Sequence, residues 1–168
     1  MTERRGRSLL TPVAISTVAV IAALALTSCG DITSNSAGPA PSTVRRSIVD
    51  IVDSSTAVLG GQWVVYSGPS VEACGGVPDR ARYVYIMDRV DRPGDDPTAD
   101  LAAISALWKK KGIDVSDYES GGTDPLRGLR GVGGPTTSIG FDAFPDGYSI
   151  TAVSDCADGN VNDLRRSE

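Results

Sequence analysis

The chain has 168 residues, with 16 Lys plus Arg against 21 Asp plus Glu and a formal net charge of -5. That is the size of one domain with appendages, and the acidic balance opposes binding to nucleic acid or to an anionic membrane face. There is no His, which excludes imidazole-ligated zinc, Ser-His-Asp and Cys-His catalysis and leaves carboxylate, hydroxyl or arginine chemistry.

Arg4, Arg5 and Arg7 precede an uncharged run from Ser8 to Leu26 rich in Leu, Ala, Val and Ile, the order of a signal peptide. The run is also long enough for a retained membrane helix, so its ending decides. Leu26-Thr27-Ser28-Cys29 followed by Gly30 resembles the lipobox of bacterial lipoproteins. The resemblance implies a diacylglyceryl group on Cys29, cleavage after Ser28, and a mature chain held on the outer side of the cytoplasmic membrane. Two or three acyl chains make such attachment effectively permanent. Residues 1–28 are then the signal peptide, and 29–42 the lipidated Cys with a flexible linker in which Ile32 is the lone large apolar residue.

With Cys29 assigned to lipid, Cys74 and Cys156 form an even pair in a compartment that permits disulfides, and bonding to each other is expected. Closing a loop of roughly 80 residues contributes about 4 to 5 kcal/mol in the chain-entropy model. A two-Cys metal site would lack a third ligand and a C-x-x-C spacing.

The domain proper is expected over residues 43–156. Val44, Ile48, Ile51, Val52 and Leu59 share a helical face, with Ser42 or Thr43 as cap and Gly60-Gly61 as stop. Trp63 to Tyr66 reads as a short strand and Arg82 to Val90 as an alternating one. Asp96-Pro97 opens a second helix whose Leu101, Ile104, Leu107 and Trp108 form a stripe, with Lys109, Lys110 and Lys111 at its negative end and Gly112 after it. Ile113 to Tyr118 is a weak strand. Thr137 to Phe144 and Tyr148 to Cys156 are strands joined by Pro145-Asp146-Gly147 into a hairpin, and Cys156 shares parity with buried-face Tyr148, Ile150 and Ala152. Residues 157–168 read as a polar tail. The order α-β-β-α-β-β-β predicts an α+β two-layer sandwich, a mostly antiparallel sheet with two helices on one face.

Trp63 before Cys74, Gly112 ending a middle helix, and Tyr148-Ser149-Ile150-Thr151 running to Asp155-Cys156 make the chain similar to LppA-type actinobacterial lipoproteins. That resemblance implies an envelope lipoprotein without an established activity.

Three groups of residues carry candidate chemistry. Gly121 to Gly134 is glycine-rich and holds Arg127 and Arg130, so it is either a connector or a cradle for an anionic ligand; it lacks the P-loop ending. Asp88, Asp91, Asp95, Asp96 and Asp100 crowd one region, as do Asp155, Asp158 and Asp163 in the tail, but neither matches a calcium loop and no metal or cofactor is expected. Glu72, Glu119, Asp142 and Asp155 are the carboxylates open to a glycosidase-type pair, with no sequence sign of the apolar pocket one of them would need. Among the aromatics, Trp108 belongs to the core, and Tyr83 and Tyr85 are expected at the surface. The reading is a non-enzymatic, lipid-anchored binding or interaction module for an envelope protein or small ligand. A small-molecule or anion carrier using loop 121–134 is the alternative, and a carboxylate hydrolase is less favoured.

Overall fold

A computed structural model describes residues 38–93, 96–122, 125–144 and 146–168. The signal peptide and Cys29 lie outside the described residues. Helix α1 runs Pro41–Leu59; strands β1 (Trp63–Cys74) and β2 (Val77–Arg89) follow; then come α2 (Thr98–Lys110), β3 (Asp114–Glu119), β4 (Arg127–Gly133), β5 (Thr136–Phe144), β6 (Gly147–Val153), β7 (Ala157–Asp158) and α3 (Val161–Arg166). The strands form one antiparallel sheet in the order β1-β2-β6-β5-β4-β3, with β7 added to β2.

All three helices contribute to one core, so they share one face of the sheet: Ile48 and Val52 of α1, Ile104 and Trp108 of α2 and Val161 of α3 join Tyr85, Phe141 and Ile150. This is the expected α+β two-layer architecture with one more helix and two more strands. Among the described residues no helix is long and apolar enough to cross a membrane.

The stripe of α2 lands on the sheet because of Trp108, which is fully buried. Its indole N–H donates to Ser55 Oγ at 2.9 Å, and Ser55 Oγ donates to the Ile51 carbonyl at 2.7 Å, so α1 satisfies the polar atom that α2 buries. Beneath the indole lies Gly131 on β4. A Cβ there would stand 2.6 Å from Ile113, 2.8 Å from Ile139 and 3.3 Å from Trp108 Cε3. The residue after α2 is tied too, since Ile113 N–H donates to the Trp108 carbonyl at 3.0 Å.

A second polar chain joins the sheet to α2. Asp91 accepts from Gln62 N–H at 2.7 Å and from Arg89 Nε and Nη2 at 2.9 and 3.1 Å. Arg89 lies 5.6 Å over the Tyr148 ring, and Tyr148 O–H donates to Asp100 at 2.8 Å. The forked Arg89 hydrogen bond and the Gln62 amide hold the Asp91 carboxyl down at about 2.

Five expectations are corrected by the structure. Half of Gly121 to Gly134 is strand β4; its glycines lower strand propensity, but one of them is the seat of Trp108. Strand β1 extends to Cys74 through bulges around the cis Gly68-Pro69 bond, and Gly75-Gly76, both at positive φ, turn it directly into β2 as a two-residue hairpin requires. Helix α1 begins two residues before Thr43, with Ala40 at the cap and Pro41 at the first position, where its missing N–H costs nothing. Tyr83 and Tyr85 are buried at 4% and 6% exposure, because theirs is the face the helices cover. The polar tail is folded: Asn160 Oδ1 accepts from Asn162 and Asp163 N–H groups, and Val161 and Leu164 face the core.

Cys74 and Cys156 are bonded, with Cα atoms 5.8 Å apart at a sequence separation of 82, a normal span. Cys156 does not reach the bond by strand parity, since β6 ends at Val153. Ser154 diverts the chain, its Oγ accepting from Tyr83 N–H at 2.9 Å and donating to the Asp155 carbonyl at 2.8 Å.

Two outcomes follow for unfolding measured by denaturant titration. Ser55→Ala strands the buried indole N–H and lowers stability by about 1–3 kcal/mol, and Trp108→Ala by about 3–5 kcal/mol. Cys156→Ser lowers it by about 2–5 kcal/mol and leaves the Cys74 thiol open to alkylation; an unchanged midpoint would refute the structural role of the bond.

Candidate functional site

With the helices on one face, the other face of the sheet is left without a helix among the described residues, and its features follow from strand alternation. Tyr118 of β3, Gly128 of β4 and Asp142 of β5 stand in one cross-strand row. Strands lie about 4.8 Å apart, and with glycine in the middle position the Tyr118 ring spans β4 to reach Asp142. Its O–H donates to Asp142 Oδ1. A Cβ at Gly128 would lie 2.5 Å from the ring, so only glycine leaves the ring room to lie down.

Arg130 occupies the next row, opposite Gly140. Its Nη1 donates to the same Asp142 oxygen at 2.7 Å, and its guanidinium sits 4.0 Å from the Tyr118 ring centroid, a cation–π contact. A Cβ on Gly140 would come within 2.7 Å of that nitrogen. The result is a planar polar cluster on a glycine floor, beside an open groove of about 400 Å³ lined by Arg130, Ser138, Gly140, Asp142 and Thr151. Burial of the ring, then the bond to the Asp142 carboxylate, pushes the Tyr118 phenol up to about 12.

Arg127 is three residues from Arg130, and on a strand an odd spacing puts two side chains on opposite faces. Arg127 turns toward α2, where Nη1 donates to Thr98 Oγ1 at 3.0 Å, in an open cleft of about 530 Å³ that also contains Ser105, Asp117 and Glu119. The structure therefore does not bring the two arginines together. Asp117 and Glu119 share a face of β3 and are both exposed.

The remaining candidates are engaged in the fold. Glu72 pairs with Arg82 at 3.0 Å, Asp155 accepts from Thr137 Oγ1 at 3.1 Å, and Asp96 accepts from Thr98 N–H at the start of α2. Among the described residues no three of His, Cys, Asp and Glu converge on a common point. In the sequence Arg130 stands out as a possible anion ligand and Asp142 as a candidate carboxylate, with nothing local that joins them to Tyr118. The signal that unites them is the pair Gly128 and Gly140 within strands, the mark of a close approach.

The fold and this face define a two-layer α+β domain with one sheet face uncovered. A similar solved structure is a DUF4853 family protein from Actinomyces odontolyticus, with a TM-score of 0.50, 18% sequence identity and coverage of 71% of this chain and 69% of that chain; at that identity the likeness is one of fold. No protein-family model matches the sequence, and no curated protein matches it.

The cluster makes a spectroscopic prediction. A phenol whose folded pKa is raised keeps its proton longer in the folded chain, so its contribution is complete below pH about 10 and is lost as the pH rises toward about 12. In an ultraviolet phenolate titration Tyr118→Phe deletes the step near 12, and Asp142→Asn moves that step toward the ordinary tyrosine value.

Proposed function

We propose that the chain is a lipoprotein of the cell envelope, anchored through lipid on Cys29 to the outer side of the cytoplasmic membrane, whose domain is a non-enzymatic interaction module for an envelope protein or envelope component. The observation that carries this reading is the lipobox Leu26-Thr27-Ser28-Cys29 standing shortly before a self-contained unit closed by the Cys74–Cys156 bond, a bond suited to an oxidising compartment. The similarity of Trp63, Cys74, Gly112 and Tyr148 to Thr151 with Asp155-Cys156 to LppA-type lipoproteins supports the same address, and a fold neighbour from an actinomycete is compatible with it.

Interaction is favoured over carriage by shape. Small-ligand sites enclose most of the ligand in a largely apolar pocket, whereas the two clefts described above are open to solvent, and the anion cradle lacks its pair of arginines on one face. A hydrolase is disfavoured because Asp117 and Glu119, the two carboxylates in one cleft, are exposed to solvent.

Membrane fractionation with intact mass spectrometry tests the anchor. The parent chain is expected in the membrane fraction with the mass of residues 29–168 plus acyl groups less two hydrogens, and Cys29→Ala without acyl mass. A parent chain that begins at Met1 and carries no acyl group would overturn the reading.

A further inference from the structure

The start of α1 lacks the groups that ordinarily neutralise a helix N-terminus. No acidic residue stands in its first turn and no side chain caps it, so the positive end of its dipole is uncompensated. Pro41 has no N–H, and the Ser42 N–H has no acceptor among the described residues. One turn on is Arg45, exposed and in no ion pair among the described residues.

These groups open onto a cleft of about 640 Å³ walled by the first turn of α1 and by the end of α3, with Gly68-Pro69-Ser70 of β1 and Tyr83 of β2 as its floor. Tyr83 is 4% exposed, yet its hydroxyl makes no hydrogen bond to the described residues. A buried phenol normally finds a partner, and no side-chain oxygen cut off from solvent lacks one among the described residues. The hydroxyl is therefore the part of Tyr83 that reaches the cleft. Burial pushes the Tyr83 phenol up, Glu168 pushes it further, and Arg45 draws it back. The hydroxyl thus lies in the field of a cation on one wall and an anion on the other, which do not pair with each other.

We propose that this cleft binds a phosphate ester that carries an amine, of the ethanolamine phosphate type. The phosphate sits at the start of α1, against the Arg45 guanidinium, the Ser42 N–H and the hydroxyls of Ser42 and Tyr83, and the ammonium lies against Glu168. A helix N-terminus with an arginine beside it suits an anion, and the three free oxygens of a phosphate monoester can accept from more of these donors than the two of a carboxylate. A ligand with negative charge alone would meet Glu168 unpaired, and one with positive charge alone would meet Arg45 and the helix dipole. A ligand with both charges is opposed by neither. The same chemistry occurs in free phosphoethanolamine and in zwitterionic phospholipid headgroups. Pro41, which lines the cleft, stands 12 positions after Cys29, a stretch that spans at most roughly 40 Å. On the anchor reading a headgroup is therefore within reach, and only this choice of source rests on that reading.

The test is calorimetric titration of the full chain in nonionic detergent with O-phosphoethanolamine, using inorganic phosphate, ethanolamine and β-alanine as probes that each lack one feature. O-phosphoethanolamine is expected to bind at least about tenfold more tightly than any of the three. Arg45→Gln is expected to weaken it by about tenfold or more, and Glu168→Gln to bring it down to the affinity of inorganic phosphate. Tyr83→Phe removes a hydroxyl with no partner in the fold, so it is expected to keep the unfolding midpoint of the parent while weakening binding about three- to tenfold. Phosphatidylethanolamine or phosphatidylglycerol mixed into the micelles separates the sources. Competition by the first alone supports the proposal with a lipid headgroup as ligand, and competition by neither supports it with the soluble ester. Equal competition by phosphatidylglycerol would overturn it, as would absence of binding, equal binding of inorganic phosphate or β-alanine, or unchanged binding in Arg45→Gln and Tyr83→Phe. A chain without acyl groups that still binds removes the anchor and leaves the cleft, and an acylated chain that does not bind does the reverse.

Discussion

The whole domain is arranged around the need of one large side chain for both a surface and a hydrogen bond. Trp108 is buried completely, and a buried indole N–H without a partner costs about 1–3 kcal/mol, a large share of the stability that packing the ring contributes. Ser55 supplies the partner, which fixes the rotation of α1 about its own axis, because Ser55 faces Trp108 only when Ile48, Ile51 and Val52 face the sheet. Gly131 supplies the surface, which fixes the strand beneath. Two helices and the β3–β4 end of the sheet are thus positioned by one residue, and the apolar stripe fills in around it.

The opposite end of the sheet is fixed by charge and covalent chemistry. Asp91 gathers the start of β1 and the end of β2, and Arg89 passes the connection through Tyr148 to Asp100 on α2. The Cys74–Cys156 bond and Arg165 then fasten the other end of β1, one through the chain after β6 and the other from α3. What these devices leave free is the stretch of β1 between them.

Much of this was legible in the sequence where local signals and tertiary demand agree. Helix α2 has its stripe and its terminal lysines as read, and it starts one residue later than Asp96-Pro97 suggests, with Pro97 at the cap and Thr98 first in the helix. The β5–β6 hairpin follows from Pro145-Asp146-Gly147 between alternating segments. Strand β4 was not legible, because Gly128, Gly131 and Gly133 look like loop residues until a tryptophan and a tyrosine are placed over two of them. The separation of Arg127 from Arg130 is a direct consequence: their spacing permits convergence in a loop and forbids it on a strand. Alternation identified the two faces of β2 but not which one the helices cover, since Val84 and Ile86 are as apolar as Tyr83 and Tyr85 are aromatic. Helix α3 has six residues, too few for a periodic signal, and it exists because Asn160 caps it and the core accepts Val161.

The entry point of the chain and the free edge lie at different ends of the same strand. The Pro39 carbonyl accepts from Asp158 N–H at 3.3 Å, and Gly38 N–H donates to the Asp158 carboxylate, so the chain enters beside β7. β7 pairs with Arg80 and Ala81 of β2, whereas Val64 pairs with Asp88. Seven residue steps of strand separate Ala81 from Asp88, roughly 24 Å at about 3.4 Å per residue. The described chain therefore enters at the end of β2 remote from Val64 and Tyr66. The same separation divides β1: its half near Pro39 is fastened by α3 and the disulfide, and its other half is held by Asp91 through Gln62 and by its pairing with β2.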